Sequence, residues 1–144
     1  MDGFSGYNQI KILPSDQLKT TFICPWGTFA YQKLPFGLKN AGATFQWAMS
    51  YVFHDIKHIT DPYLDDVPAH SDRREEHLPH LRAIFLRFRH YRVRLNPHKC
   101  IFCVESGRLL GFIVSRDGIR IDPFKVEAIL ALPPPTMITQ LQSL

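Results

Sequence analysis

No apolar run in this chain approaches the roughly 20 residues needed to cross a bilayer, so a membrane partner is not expected. Met1 is followed by Asp2 and Gly3 rather than by an apolar stretch, which excludes a signal peptide from the expectation. Cysteine is scarce and odd in number, at three. That argues against a secreted disulfide framework and for a reducing compartment. Internal repeats and low-complexity tracts are lacking, which removes solenoids and disordered tails from consideration. Arginine is missing from the first half altogether, all ten falling between Arg73 and Arg120.

What is present is ordinary globular material. The 144 residues are 45% hydrophobic and 21% charged, enough for a core in one domain or a piece of a larger one. The net charge of +4 suits an anionic partner but is too modest to identify one. Pro133-Pro134-Pro135 cannot be helical and separates a short final segment.

The apolar spacing predicts an α+β order. Residues 8–13 read as a strand, Pro14-Ser15-Asp16 as a turn, and Thr20 to Lys33 as a hairpin about Pro25-Trp26-Gly27. Asn40 is the expected N-cap of a helix over 41–57, with Phe45, Met49, Val52, Phe53 and Ile56 on one face. Ile59 to His70 reads as a second hairpin with Asp65 and Asp66 at its tip. Ser71 or Asp72 caps a helix whose stripe is Leu78, Leu81, Phe85 and Phe88. Strands over 101–104 and 109–114 join near Ser106-Gly107. Arg116-Asp117-Gly118 is a turn, and Pro123 begins a last helix near 123–131. With a strand ending at Asp2, this is the ferredoxin-like split βαβ arrangement with an inserted hairpin. In that order Asp2 meets Asp65 and Asp66 at neighbouring strand ends.

Adjacent Asp65 and Asp66 repel each other, and burying either requires a cation. They read either as a solvated acidic turn or, with Asp2, as an oxygen-rich Mg²⁺ site for phosphoryl transfer. His98, Cys100 and Cys103 offer only one C-x-x-C pair, short of the two close pairs of a structural zinc site. The cysteines are expected to be buried and free, and the arginines of the 73–94 helix to form a solvated outer face.

These residues carry a resemblance. Tyr63-Leu64-Asp65-Asp66 resembles the Y-x-D-D box of reverse transcriptases, and Asp2-Gly3-Phe4-Ser5-Gly6-Tyr7-Asn8-Gln9-Ile10 the first catalytic box of gypsy-type (Metaviridae) LTR retrotransposon enzymes. Leu34 to Ala41, Ala43-Thr44-Phe45-Gln46, Arg94 to Pro97 with Lys99-Cys100, Leu109 to Ser115 and Asp122 to Ile129 follow in family order. The wording is closest to plant polyproteins of this type, and the match covers nearly the whole chain.

The resemblance implies an RNA-directed DNA polymerase palm, with part of the fingers (hairpin about 8–34) and primer-grip strands (about 101–121) within 1–132. Residues 133–144 would begin the thumb. It implies two Mg²⁺ ions, replaceable by Mn²⁺, on Asp2, Asp65 and Asp66, with Lys99 protonating the pyrophosphate leaving group. Gly3, Phe4, Ser5, Gly6, Tyr7, Phe36 and Gly37 would bind the dNTP, Tyr7 excluding a 2′-hydroxyl. Leu109, Leu110, Gly111, Phe112 and Ile113 would grip the primer. Implied partners are an RNA or DNA template with primer, dNTPs, and the remaining fingers, thumb and ribonuclease H regions of a polyprotein. The implied location is a cytoplasmic virus-like particle, with later nuclear entry of the element's DNA.

Two departures accompany it. Only Met1 precedes Asp2, so that carboxylate is expected on a frayed terminus and the chain alone to polymerise little or nothing. Pro62 and Pro68 flank the Tyr63–Asp66 turn, where proline is either accommodated at an edge or a mark of decay. Two other functions stay open: a non-catalytic fragment binding nucleic acid or protein, and a degenerate retroelement relic.

Overall fold

The computed structural model describes residues 1–133 and 137–138. Most of the final segment expected at 133–144 therefore lies outside the described residues. The chain divides into two compact units, Met1–Phe102 and Cys103–Leu144.

The first unit runs from a 3₁₀ turn at Gly6–Gln9 through α1 (Pro14–Gln17) and a 3₁₀ turn at Leu18–Thr20. The hairpin of β1 (Phe22–Cys24) and β2 (Gly27–Phe29) follows, then α2 (Ala41–Val52) and α3 (Arg74–Tyr91). Its core is one cluster: Phe45, Met49, Val52 and Phe53 from α2 and its end, Ile59 and Val67 from the hairpin, and Ile84 and Phe88 from α3. Phe53 and Ile84 are wholly buried, and the Phe53 ring meets Phe88 edge-on at 5.2 Å.

Several expected elements are corrected. Residues 8–13 are not one strand. Asn8 and Gln9 belong to the 3₁₀ turn, and only the stretch around Lys11 pairs, with Ile12 N–H bonding Gln32 and Leu34 N–H bonding Ile10. The turn at Pro14 is a short helix, its proline at N1 where no N–H is needed. The β1–β2 hairpin is tighter than expected, Cys24 pairing Gly27 directly. α2 stops at Val52, five residues early, and Asn40 occupies the N-cap without a side-chain bond. Beyond it the chain descends in turns that deliver Ile59 and Thr60 to the core. The buried stripe of α3 is Leu81, Ile84 and Phe88, while Leu78 and Phe85 are exposed. Neither Ser71 nor Asp72 caps it; Arg73 is the N-cap residue, and the Ser71 hydroxyl bonds His77 and His80 instead. Arg82, Arg89 and Arg92 lie exposed as expected, and Arg87 pairs with Asp55.

The second unit is an antiparallel sheet of β3 (Ser106–Leu109), β4 (Phe112–Ser115) and β5 (Gly118–Ile121), in that order, followed by α4 (Pro123–Leu130). The expected joint at Ser106-Gly107 lies inside β3. The turn is Leu110-Gly111, both left-handed at φ 50° and 83°, the backbone that a two-residue hairpin requires and glycine tolerates. Residues 101–104 form no strand, and Cys103 is exposed and Cys24 and Cys100 only half-buried, so none is the buried cysteine expected. Asp122 caps α4 by accepting Phe124 N–H at 3.1 Å, and its carboxylate also pairs with Arg108.

Candidate active site

The candidate site is built almost entirely by backbone pairing of short segments. Tyr63 and Asp66 exchange both N–H···O bonds, at 2.9 and 3.0 Å, leaving Leu64 and Asp65 as the turn. The tip is thus Leu64-Asp65, with Asp66 one position down the strand. Leu64 sits at φ 51°, a conformation that L-residues avoid. At the base His70 N–H bonds Ile59, and the buried Thr60 hydroxyl donates to Pro68 C=O at 2.6 Å.

This register accounts for the two prolines. Pro62 falls opposite Val67, where its nitrogen faces away from the partner strand. Pro68 falls opposite Asp61 and forfeits one ladder bond. Pro62 sits on the outer strand of the array, and Pro68 lies one residue beyond Val67, the last of its strand to bond Met1, so neither proline removes a bond between the carboxylate-bearing segments.

Met1, Asp2 and Gly3 lie between this hairpin and the segment at 94–96. On one side Val67 N–H bonds Met1 C=O and Gly3 N–H bonds Asp65 C=O; on the other Asn96 N–H bonds Asp2 C=O and Phe4 N–H bonds Arg94 C=O. Asp2 bridges Asp66, and Gly3 bridges Leu95, both antiparallel. The expectation of a frayed Asp2 is therefore corrected: bonds on both sides pin that segment, and its peptide nitrogen also meets Cys100 Sγ at 3.5 Å.

Asp2, Asp65 and Asp66 are accordingly neighbours although more than 60 residues apart in sequence. Lys99 Nζ lies 3.8 Å from Asp2 Oδ2. Burial, and then the charges of Asp2 and Asp66, push the Asp65 carboxyl above its ordinary range, while Lys99 pulls it back. Asp65 Oδ1 is buried and has no hydrogen-bond partner. Among the described residues no three His, Cys, Asp or Glu side chains converge closely enough to hold a metal ion. The donor chemistry nonetheless fits Mg²⁺: an all-oxygen carboxylate set, one oxygen of which is buried without a proton donor.

Gly6 is required here. A Cβ on it would run into Asp65 Oδ1 and come within 2.7 Å of the Phe45 ring. Its place beside the acidic turn comes from the 3₁₀ turn after the left-handed Ser5. Tyr7 packs on Phe45 (5.0 Å between centroids) and meets Phe36 edge-on at 5.7 Å. Phe36 is 87% exposed, with Gly37 beside it. Gly3 is buried, and Phe4 and Ser5 are exposed. The structure thus brings together Asp2 to Tyr7, Phe36, Asp65, Asp66 and Lys99. Leu109 to Ile113 form the β3–β4 hairpin of the second unit, with Leu110 and Phe112 exposed and Leu109, Gly111 and Ile113 half-buried.

Gln46 and Gln9 are the residues that sequence reasoning missed. Each bonds the backbone of the carboxylate-bearing segments with both ends of its amide.

The site is thus an acidic hairpin paired with an aspartate-bearing segment inside an α+β unit. The chain belongs to the reverse transcriptase (RNA-dependent DNA polymerase) family, whose profile matches residues 1–114. It is 37% identical over 144 residues to the retrovirus-related Pol polyprotein from transposon gypsy of Drosophila melanogaster, and 36% identical over 143 residues to that from transposon opus of the same fly. Each alignment covers 99% of this chain and 14% of the relative, so the chain spans a small part of the polyproteins it matches. A solved foamy viral protease-reverse transcriptase in complex with dsDNA shares the fold, with a TM-score of 0.86 at 22% identity over 99% of this chain and 30% of that one. The expected resemblance to gypsy-type retrotransposon reverse transcriptases is thereby shown.

Proposed function

We propose that this chain is the palm core, with part of the fingers and the start of the thumb, of a retroelement polymerase that extends a primer with dNTPs on an RNA or DNA template. One observation carries the reading. Pairing of Met1–Gly3 with the Tyr63–Asp66 hairpin sets the segments that carry Asp2, Asp65 and Asp66 side by side, and one carboxylate oxygen there, Asp65 Oδ1, is buried without a partner. The order of paired segments, 94–96, 1–3, 66–67 and 63, supports the ferredoxin-like palm, in which the first strand lies between the third and the fourth.

Asp2, Asp65 and Asp66 would hold two Mg²⁺ ions, with Mn²⁺ as substitute. When bound, these ions supply charge neutralisation of the triphosphate and a lowered pKa for the attacking primer hydroxyl. The chain's own groups do the rest. The peptide backbone of Gly3 to Gly6 lies against the triphosphate, where small residues allow close approach. Tyr7, held by Phe45, forms a floor under the sugar that a 2′-hydroxyl would strike. Phe36 and Gly37 face the nucleotide or template base. Lys99, exposed and adjacent to Asp2, delivers a proton to the departing pyrophosphate. Leu109, Leu110, Gly111, Phe112 and Ile113 hold the primer strand. On this reading residues 1–132 are palm with partial fingers and primer grip, and 133–144 lead into the thumb. The remaining fingers, thumb and ribonuclease H regions would come from the rest of a polyprotein. The working location is a cytoplasmic virus-like particle, from which the element's DNA enters the nucleus.

The test is primer extension with Mg²⁺ after substituting this chain for the matching segment of the gypsy Pol polyprotein. The parent chimera should extend, and Asp65→Asn should abolish extension while template binding stays nearly intact, because binding rests on phosphate contacts elsewhere. Activity of Asp65→Asn within tenfold of the parent would exclude Asp65 as an essential ligand.

A further inference from the structure

The carboxylate array has two places where its backbone runs out of backbone partners, and a glutamine amide stands at each. At the outer edge of the hairpin tip, Gln46 of α2 donates from Nε2 to Pro62 C=O at 2.8 Å and accepts Leu64 N–H at Oε1, 2.7 Å away. At the end of the ladder between Phe4 and Arg94, Phe4 N–H still bonds Arg94 C=O, but Arg94 N–H bonds Gln9 Oε1 at 2.6 Å. Gln9 Nε2 then donates to Phe4 C=O at 2.6 Å and to Arg94 C=O at 3.0 Å. A primary amide carries a donor and an acceptor side by side, as a peptide group does, so each side chain stands in for a neighbouring strand.

Both amides act where orientation matters most. Leu64 N–H belongs to the left-handed residue immediately before Asp65, and its peptide geometry sets the direction in which the Asp65 side chain leaves the turn. Phe4 is two residues from Asp2, at the point where the chain leaves the ladder for the Ser5–Gly6 bend. Among the described residues neither amide hydrogen-bonds a carboxylate oxygen. Their effect on the site passes through the backbone.

We propose that Gln46 and Gln9 are positioning residues, amide clamps that fix the register and orientation of Asp65 and Asp2 for cation binding. This rests on the proposed carboxylate site. Groups that orient metal ligands change affinity by about 10- to 100-fold when removed.

The experiment uses the full 144-residue chain, with amide exchange read by NMR and Mn²⁺ binding by EPR. Gln46→Met and Gln9→Met keep the side-chain bulk and lose the amide. The first should speed exchange at Leu64 N–H, and the second at Arg94 N–H, each by tenfold or more. Each should weaken Mn²⁺ binding about tenfold with the thermal midpoint nearly unchanged. Asp65→Asn is the control. If Asp65→Asn lowers Mn²⁺ affinity while both methionine variants bind as the parent does, the clamp proposal is overturned and the site stands. If Asp65→Asn also binds as the parent does, both fall. Unchanged exchange at Leu64 and Arg94 would overturn the clamps by itself.

Discussion

Asp65→Asn should stabilise the metal-free chain at neutral pH, although it destroys the proposed site. Asp65 is held among two other carboxylates with Oδ1 buried and unpartnered, so its charge is costly in the absence of a cation. An unsatisfied buried polar atom costs about 1–3 kcal/mol. Because the rest of the side chain is only half-buried and Lys99 offsets part of the repulsion, the lower end applies, about 1 kcal/mol. For a chain of this size that is roughly 4 °C in Tm. The sign with pH follows from the direction of the shift. Burial and like charge raise the folded-state pKa, so the native state holds a proton that the unfolded chain has already released. Asp65's contribution therefore favours folding below the ordinary carboxylate pKa and is lost as pH rises through the raised value. Asp65→Asn removes that dependence. Divalent cation reverses the comparison: at tenfold over Kd, the parent gains about 1.4 kcal/mol and the variant gains little. The assay is thermal unfolding of both chains at pH 4 to 8, in chelator and in Mn²⁺. A variant less stable than the parent in chelator at pH 7 would refute the reasoning, as would a stability advantage of the variant over the parent that fails to grow as pH rises through that window.

The other expectations are simpler. Ile84→Ala empties the centre of the Phe45–Phe88 cluster and should cost about 2–5 kcal/mol in denaturant unfolding of the first unit. Asp122→Ala removes both the α4 cap and the carboxylate facing Arg108, so it should cost about 1 kcal/mol, and Asp122→Asn should recover the cap but not the pair. Amide exchange within α4 distinguishes the two. Tyr7→Ala, in the chimera described above, should raise ribonucleotide use relative to dNTPs, because the ring packed on Phe45 is the proposed steric floor. Unchanged selectivity in single-nucleotide incorporation would return Tyr7 to a plain packing role.

The pieces of this fold that were legible were those with a local chemical signal. Asp-Pro at 122–123 marks a helix start by geometry alone, and α4 begins there, with the Asp122 carboxylate as its cap. Pro25-Trp26 between two aromatic runs marked the hairpin. The turn at Leu110-Gly111 was hidden because an apolar run reads as continuous strand, while Ser106-Gly107 carries the residues turns favour. Ile84 was overlooked in favour of Phe85 and Leu78, since the period of α3 admits two stripes and only the packed partner chooses between them. The acidic cluster was legible from Asp65-Asp66 and the order of elements. The clamps were not: a glutamine in sequence gives no sign of which peptide group it will meet.

The array that carries the carboxylates also dictates an order of assembly. Its middle segment, Met1–Gly3, finds its bonds only with residues near 65–67 and near 94–96. During synthesis at about 5–20 residues per second, the Met1–Gly3 segment therefore waits several seconds for its second flank. A nascent chain released before Asn96 would carry all three aspartates and every core residue of α2 and α3, yet Asp2 would have a neighbour on one side alone. Truncation products ending there should fold much of the first unit while leaving the acidic centre open on its 94–96 side.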